Sequence, residues 1–520
     1  MLIHITGAKC IGIDATEVTV EIEIQHGIGI HLVGMADTAV KESLLRTTTA
    51  LENLGFRVPG KKIIINLAPA DLRKNGSGYD LPIALGIIAA SGQTEMPGIG
   101  KYIIMGELGL DGSVRDIPGA LPFAELARKK GLAGIILPEA SALEAAEFRD
   151  INIFGVNSLS EVTKIVSEQE DCSDLLIWNT RTFRKAQRES MHRQETPDII
   201  DFADIIGQEG AKRGIEIAAA GGHNVIMIGA PGSGKSSLAK ALAGILPPLN
   251  TEEALVTSKI YSISGKRPAA CGLARRRPFR APHYSASMAA IIGGGGGDNI
   301  QPGEVSLAHN GVLFADELGQ MPRTVVEALR GPMEDREVTI SRLKSKVTFP
   351  ASFMLVGASN PCPCGYWGEG ERCTCTPSQR LNYLSKLSGP IMDRIDIQVW
   401  MHPVPSNSIM NAPKSESSEA VAKRVLRARI AQKHRFVKED IMTNAEMNNR
   451  QIERYCPLSD SCARLMSGLM DKQKLSMRAY FRIIKVARTI ADLEGSDEIL
   501  PVHLAEAAGY RFLDKQNPGI

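Results

Sequence analysis

Val225-Ile-Met-Ile-Gly229-Ala230-Pro231-Gly232-Ser233-Gly234-Lys235-Ser236-Ser237 is the stretch that decides the fold. A short apolar strand over 225–228 runs into a glycine-rich loop, and the helix-forming SLAKALAGIL follows at 237–246. The spacing is that of a phosphate loop, Gly, four residues, then Gly-Lys-Ser. In that context the glycines let backbone N–H groups wrap a β-phosphate, and the helix start adds its positive end. Lys235 then contacts the β/γ-phosphates, Ser236 ligates Mg²⁺, and residues 229–237 line the nucleotide. Eighty-one positions after Lys235, the apolar run Val312-Leu-Phe-Ala ends in Asp316-Glu317. Asp316 suits the Mg²⁺ shell and Glu317 the polarising of an attacking water. A further strand, Phe353–Gly357, leads to Asn360, whose amide suits the γ-phosphate or that water. These motifs imply a nucleoside triphosphatase that uses ATP, on a doubly wound parallel sheet.

The remaining composition narrows the class. At 520 residues the chain is about three to four domain-lengths, taking roughly 150 residues for each. Hydrophobic content of 43% and charged content of 23% exclude collagen-like, disordered and disulfide-scaffold proteins. Sixty Lys and Arg against 58 Asp and Glu leave +2, so any nucleic-acid surface is a local patch. Nine cysteines, an odd number and mostly scattered, argue for a reducing compartment. The start MLIHITGAKCIGIDATEV lacks a basic segment followed by an apolar core. The apolar stretch Leu81–Ala90 contains Pro and Gly and falls short of the roughly 20 residues a membrane span needs. A cytoplasmic protein without a membrane partner is expected.

An α/β multidomain chain follows. Residues 1–165 form an α+β unit, with strands at Val18–Ile24, Lys62–Leu67 and Ala133–Leu137 and helices at Asp37–Leu54 and Asp80–Ala90. Residues 166–199 are charged with weak periodicity and read as a linker. Strands alternate with helices over 200–403, the ATPase core, and residues 415–520 form an all-α lid.

The order of these motifs, followed by Ser388-Gly-Pro-Ile-Met-Asp393-Arg394-Ile-Asp396 and Leu475-Ser-Met-Arg478-Ala-Tyr, resembles AAA+ ATPases of the magnesium-chelatase-like group. Over the whole chain the resemblance is to the ComM (YifB) family. It implies a Lon-like, S5-like first domain, an AAA+ core and a helical lid. Arg394 then matches a finger that reaches the neighbouring subunit's nucleotide, and Arg478 the lid's second sensor. Gly207-Gln208, in Asp201-Phe-Ala-Asp-Ile-Ile-Gly207-Gln208, matches the segment that closes over adenine. A borrowed arginine implies a ring, expected to be a homo-hexamer.

Between Glu253 and Asp298 the sequence holds no acid but seven cations: Lys259, Lys266, Arg267, Arg275, Arg276, Arg277 and Arg280. Such a run suits phosphate-backbone contact, and the region with its Gly293–Gly297 tip resembles the helix-2 insertion of the group. The alternating Glu337–Thr348 reads as a hairpin with Arg342, Lys344 and Lys346 near its turn. No base-reading element is visible, so contact with single-stranded, forked or branched DNA is expected with little sequence preference. Cys362-Pro-Cys364 and Cys373-Thr-Cys375 form CxC-x8-CxC, four thiolates that can complete a tetrahedral Zn²⁺ site.

The first domain resembles Lon protease domains through Gly106–Ile117 and Ala133–Pro138. Gly occupies the aligned nucleophile position in Gly76-Ser77-Gly-Tyr-Asp80, and Pro122 the position of the partner Lys. Ser77 with Lys74 as base is the remaining arrangement that would give a peptidase. The leading expectation is therefore an ATP-driven DNA helicase or translocase for branch migration in homologous recombination and natural transformation. The rivals are a metal-insertion motor acting on a protein partner, against which the Lon-like domain and basic hairpins stand, and an ATP-dependent protease, against which the missing dyad stands.

Overall fold

The computed structural model describes residues 1–35, 37–74, 76–193, 200–266, 271–296, 300–342, 346–387, 391–404 and 415–514. The first unit is built on a seven-stranded sheet, ordered Gly29–Val33, Lys62–Ala68, Asp14–Gln25, Leu2–Ile11, Tyr102–Ile104, Gly134–Pro138, Asn152–Val156. Leu2–Ile11 and Asp14–Gln25 pair antiparallel from Leu2↔Glu23 to Ile11↔Asp14. Alternation puts Val18, Val20 and Ile22 on the buried face. Against it lies the helix Asp80–Ala90, buried along almost its whole length. Gly86 permits that contact, since a Cβ there would come within 2.2 Å of Ile22 Cδ1.

Residues 173–186 are not a free linker. Leu176 bridges to Phe154, the Trp178 indole N–H donates to the Ala146 carbonyl at 2.8 Å, and Ile177, Phe183 and Ala186 are buried in the first domain's core. The charged residues between them hide a one-sided apolar pattern. The expected linker thus reduces to the end of the helix Arg181–Arg193 and residues 194–199, which lie outside the described residues.

The second unit is a five-stranded parallel sheet in the order Phe279–Arg280, Val312–Ala315, Met354–Ser359, Val225–Gly229, Ile397–Met401. Every strand therefore ends at the same edge, the one where ligands of such sheets bind. Helices Ser418–Arg435, Asp460–Gln473, Met477–Glu494 and Pro501–Gly509 form the lid, whose Val425, Ile483 and Leu504 share one apolar cluster with Ile215 and Val225 of the ATPase core. The helix Thr251–Ile263 docks on the first domain, where buried Lys259 bonds Asp14 at 2.5 Å and Glu125 at 2.7 Å. No helix among the described residues is long and apolar enough to cross a membrane.

Candidate active site

The strand Val225–Gly229 opens into the phosphate loop, and Gly234, at φ +90°, turns the chain into the helix Lys235–Ile245. Lys235 Nζ donates to the Gly229 and Ala230 carbonyls at 2.7 and 2.9 Å and lies 3.4 Å from Asn360 Oδ1. Burial lowers the pKa of Lys235, with Asp316 and Glu317 opposing. Ser236 Oγ donates to Asp316 Oδ2 at 3.1 Å. The two hard oxygens expected to share Mg²⁺ thus face each other, a donor set that fits this cation. Glu317 adopts φ +51°, a left-handed conformation rare for a side-chain-bearing residue, and its N–H bonds Asp316 Oδ1 at 3.0 Å. That turn lifts both carboxylates off the strand end. Asp316, Glu317, Asn360 and Lys235 are gathered as the motifs imply.

The opposite flank of the loop holds two residues that the motifs did not identify. The Gln208 amide donates to the Ser233 carbonyl at 3.3 Å and to the His402 carbonyl. Gly207 and Gln208 line a recess of about 400 Å³ with Trp400 and His402. Register explains the placement, because Ile228↔Trp400 is a parallel pair. The only sequence signal was an aromatic pair ending an apolar strand.

Arg394 and Arg478 lie elsewhere. Ile397 pairs with Val225 while Met401 pairs with Gly229, so residue 394 precedes the edge opposite the phosphate loop. Five residues at about 3.3 Å each separate the two edges. Arg394 is 4% exposed and ion-paired with Glu334. Arg478 bonds Asp393 at 2.7 Å with its side chain 64% exposed. Burial lowers the Arg394 pKa, Glu334 opposes, and Arg330 and Arg478 add to the lowering. Asn224 pins this edge, donating to the Arg394 carbonyl at 3.0 Å and accepting from the Leu355 N–H at 2.8 Å.

Three protein-family models match the chain. "Magnesium chelatase, subunit ChlI" covers residues 201–409, "Subunit ChlI of Mg-chelatase" 20–141, and "Magnesium chelatase, subunit ChlI C-terminal" 415–511. Protein YifB of Salmonella typhimurium is 41% identical over 526 residues, 99% of this chain and 97% of that one. Competence protein ComM of Haemophilus influenzae is 41% identical over 504 residues, 96% of each chain. DNA replication licensing factor mcm6 of Dictyostelium discoideum is 24% identical over 347 residues, 60% of this chain and 34% of that one.

The chain belongs to the ComM/YifB family. Its AAA+ core is magnesium-chelatase-like, and that family implies ATP and Mg²⁺. The model matching the first domain carries the chelatase description too.

In this ComM/YifB-family chain the four clustered thiols meet. The sulfurs of Cys362, Cys364, Cys373 and Cys375 all lie within 4.8 Å of one another, with Cys362 to Cys373 at 3.9 Å and Cys364 to Cys373 at 3.7 Å. A tetrahedral Zn²⁺ with bonds of about 2.3 Å needs sulfurs about 3.8 Å apart, so the set fits. Burial, joined by Cys364, pushes Cys362 up to about 12. Burial acts upward on Cys364 too, but the Tyr366 N–H and the Cys362 and Cys375 thiols outweigh it and bring Cys364 to about 6. The loop abuts the nucleotide site: a Cβ on Gly365 would stand 2.9 Å from Pro231 of the phosphate loop.

The basic run is corrected by its partners. Arg277 forms a two-pronged pair with Glu253 at 3.0 and 2.9 Å, and Arg280 with Glu304 at 2.6 and 2.8 Å. Both arginines are consumed inside the fold, and Arg280 belongs to an edge strand, not to a projecting hairpin. Arg275 and Arg276 remain exposed. The inserted hairpins are Gly293–Gly294 with Gln301–Pro302, and Glu337–Ser341 with Lys346–Pro350. They lie side by side, since a Cβ on Gly293 would meet Ile340 Cδ1 at 2.8 Å. Arg342 and Lys346 are exposed on the second; Lys344 and Arg267 lie outside the described residues. In the first domain Ser77 donates to Glu107 and buried Lys74 to the Pro69 carbonyl, an arrangement that does not join them as a dyad.

Proposed function

We propose that this chain is an ATP-driven, ring-forming DNA translocase that promotes branch migration during recombination of incoming DNA. The observation that carries the reading is the separation of two half-sites. One sheet edge holds Lys235, Ser236, Asp316, Glu317 and Asn360, and the other carries Arg478, exposed, and Arg394, which a neighbour's phosphate would have to draw from its buried pair with Glu334. Stacked head to tail, each subunit's second edge meets the next subunit's first edge, and such a heterologous contact closes into a ring. A hexamer is the ring proposed.

Within one composite site Lys235 neutralises the β/γ-phosphate oxygens and Asn360 orients the terminal phosphate. Mg²⁺ held by Ser236 and Asp316 would supply Lewis-acid charge to the same oxygens. Glu317 accepts hydrogen bonding from the attacking water, and the neighbour's Arg394 meets the charge that develops on the phosphoryl oxygens. The recess at Gly207, Gln208, Trp400 and His402 suits adenine, with an aromatic face for stacking.

DNA as the translocated polymer is supported by the exposed Arg342 and Lys346 on one of two adjacent hairpins, and by Arg275 and Arg276. Two relatives, a competence protein and a DNA replication licensing factor by name, point the same way. Replacing Arg342, Lys344 and Lys346 together with Gln is expected to leave basal hydrolysis in place and to abolish its stimulation by DNA. The slope of log affinity against log salt should fall by up to about three contacts' worth. A four-way-junction migration assay with the unaltered protein tests the reading itself. Failure to move any branched substrate while hydrolysing ATP would favour the protein-directed, chelatase-like motor, to which all three family models lend support.

Zinc at the four cysteines is proposed to hold the Gly365 turn against Pro231. Metal analysis of protein purified without chelator should find close to one Zn²⁺ per chain, absent from a Cys362→Ser/Cys364→Ser double variant. The variant should bind ATP more weakly, because the loop that backs the phosphate loop loosens. A metal-free wild type with unchanged affinity would remove this role.

A further inference from the structure

Beneath the parallel sheet, at the edge where its strands begin, lies a cavity of about 450 Å³ roofed by the lid. That volume is in the range of roughly 300–1,000 Å³ usual for small-molecule sites. It is separate from the nucleotide recess, which opens at the other edge. Its charges are the informative feature. Six cationic side chains line it against four acidic ones.

Each acid is matched by one of the cavity's arginines, and Asp396 also by His223 at 3.2 Å. Arg277 pairs with Glu253 at 2.9 Å and Arg336 with Glu446 at 2.8 Å, while Arg394 takes Glu334 and Arg482 takes Asp396. Burial would raise Asp396, but Arg482 and His223 hold it well below the ordinary carboxylate range, so it is already committed. Six minus four leaves two cations, Arg429 and Lys485, and these meet only backbone oxygen among the described residues. Arg429 Nε and Nη2 both donate to the Ala219 carbonyl at 3.0 and 2.8 Å. Lys485 Nζ donates to the Ala445 carbonyl at 2.9 Å. In addition, Arg482 Nε is buried without a hydrogen-bond partner.

Two uncompensated charges in a half-buried recess are unfavourable unless an anion answers them. Lys485 reports that situation, lowered to about 8 by burial, with Arg482 and Arg336 adding to the fall and Asp396 and Glu446 opposing it. A guanidinium, an ammonium and an extra N–H around one cavity offer donors from several directions with an excess of two charges. A phosphate dianion matches that excess and geometry better than a single carboxylate does.

We infer that the core–lid cavity is an anion site for a small phosphorylated ligand, held chiefly by Arg429 and Lys485. Both residues belong to the lid, on helices Ser418–Arg435 and Met477–Glu494, and the second helix also carries Arg478. Occupancy would therefore tie the lid to the core close to Arg394 and Arg478. The inference is independent of the DNA reading, although the cavity shares Arg394 with the composite ATP site proposed above.

The test uses the full chain carrying Lys235→Ala, which disables the phosphate loop, titrated with inorganic pyrophosphate in a calorimeter. One saturable site per chain is expected, and Arg429→Met with Lys485→Met should weaken it roughly tenfold or more. Thermal unfolding keeps the result interpretable. Without ligand the double variant should stay folded, relief of like-charge repulsion offsetting the lost bonds to the Ala219 and Ala445 carbonyls, yet pyrophosphate should no longer raise its Tm. The charge-keeping Lys485→Arg should retain the rise. Competition by ADP would identify nucleotide phosphates as the source, and lack of competition a free phosphate or pyrophosphate; both keep the chemistry. Absence of saturable binding would overturn the site, as would binding that the double variant leaves intact. Binding seen only in assembled rings and lost on dilution would also overturn it, by assigning the cavity to a neighbour's group.

Discussion

Arg394→Ala subunits are expected to bind ATP normally and, as pure rings, to hydrolyse it about 10³-fold more slowly than wild type, the scale of loss known for arginine fingers. Binding survives because the phosphate loop of the same chain is untouched, on the far edge of the sheet. Turnover should fail because, in the proposed ring, each site lacks the cation from next door. Mixed with Lys235→Ala subunits, a fraction of interfaces regains an intact phosphate loop on one side and an intact Arg394 on the other, so partial hydrolysis returns. The same mixing applied to Arg478→Ala carries further information. Its side chain is 64% exposed and touches Asp393, and an exposed pair of this kind contributes only about 0–1 kcal/mol to stability. Loss of turnover in this variant is therefore not a folding effect. Recovery in the mixture is expected for Arg478 as for Arg394, because both occupy the same edge. Absence of recovery for either would assign that arginine to its own subunit's site or to structure alone.

Glu317→Gln should retain ATP and stall, with the turnover rate falling by about 10²–10⁴, the usual worth of a positioned general base. The amide keeps the size of the side chain and its left-handed backbone, φ +51°, so the loop geometry persists. What disappears is the charge that polarises the water. Lys235→Ala differs in kind: it removes the contact that neutralises the β/γ-oxygens, and nucleotide-dependent assembly or turnover of the pure variant should fail, while intact phosphate loops in a mixture can still draw it into rings. A stalled Glu317→Gln ring that still grips DNA, beside a Lys235→Ala chain that does not, would separate binding from chemistry. Hydrolysis at the wild-type rate by Glu317→Gln would exclude Glu317 as the base.

Much of this protein is legible from contiguous sequence. The strand, loop and helix over 225–246, the acids at 316 and 317, the alternating hairpin over 337–348 and the CxC pairs all specify local geometry through neighbouring residues. Turn chemistry, periodicity and short-range ligand spacing act within a few residues, so a window of sequence contains the cause and the effect. Charge does not behave that way. The run from 254 to 297 looks acid-free, yet Arg277 and Arg280 each find an acid 24 positions away, and Lys259 finds Asp14 at a separation of 245. Pairing is decided through space, and the tertiary structure removed these three cations from the exposed surface. The buried apolar residues Ile177, Phe183 and Ala186, masked by charged neighbours, likewise turned an expected linker into part of a domain. Parallel pairing across long crossovers put Trp400 and His402 beside Gln208. It also put Arg394 and Arg478 at the edge their own phosphate loop cannot reach. By itself the sequence determined which nucleotide chemistry the chain carries, because that chemistry is written in adjacent residues. Only the tertiary structure decided which cations remain exposed and which sheet edge each candidate site residue occupies, because both depend on contacts between residues far apart along the chain.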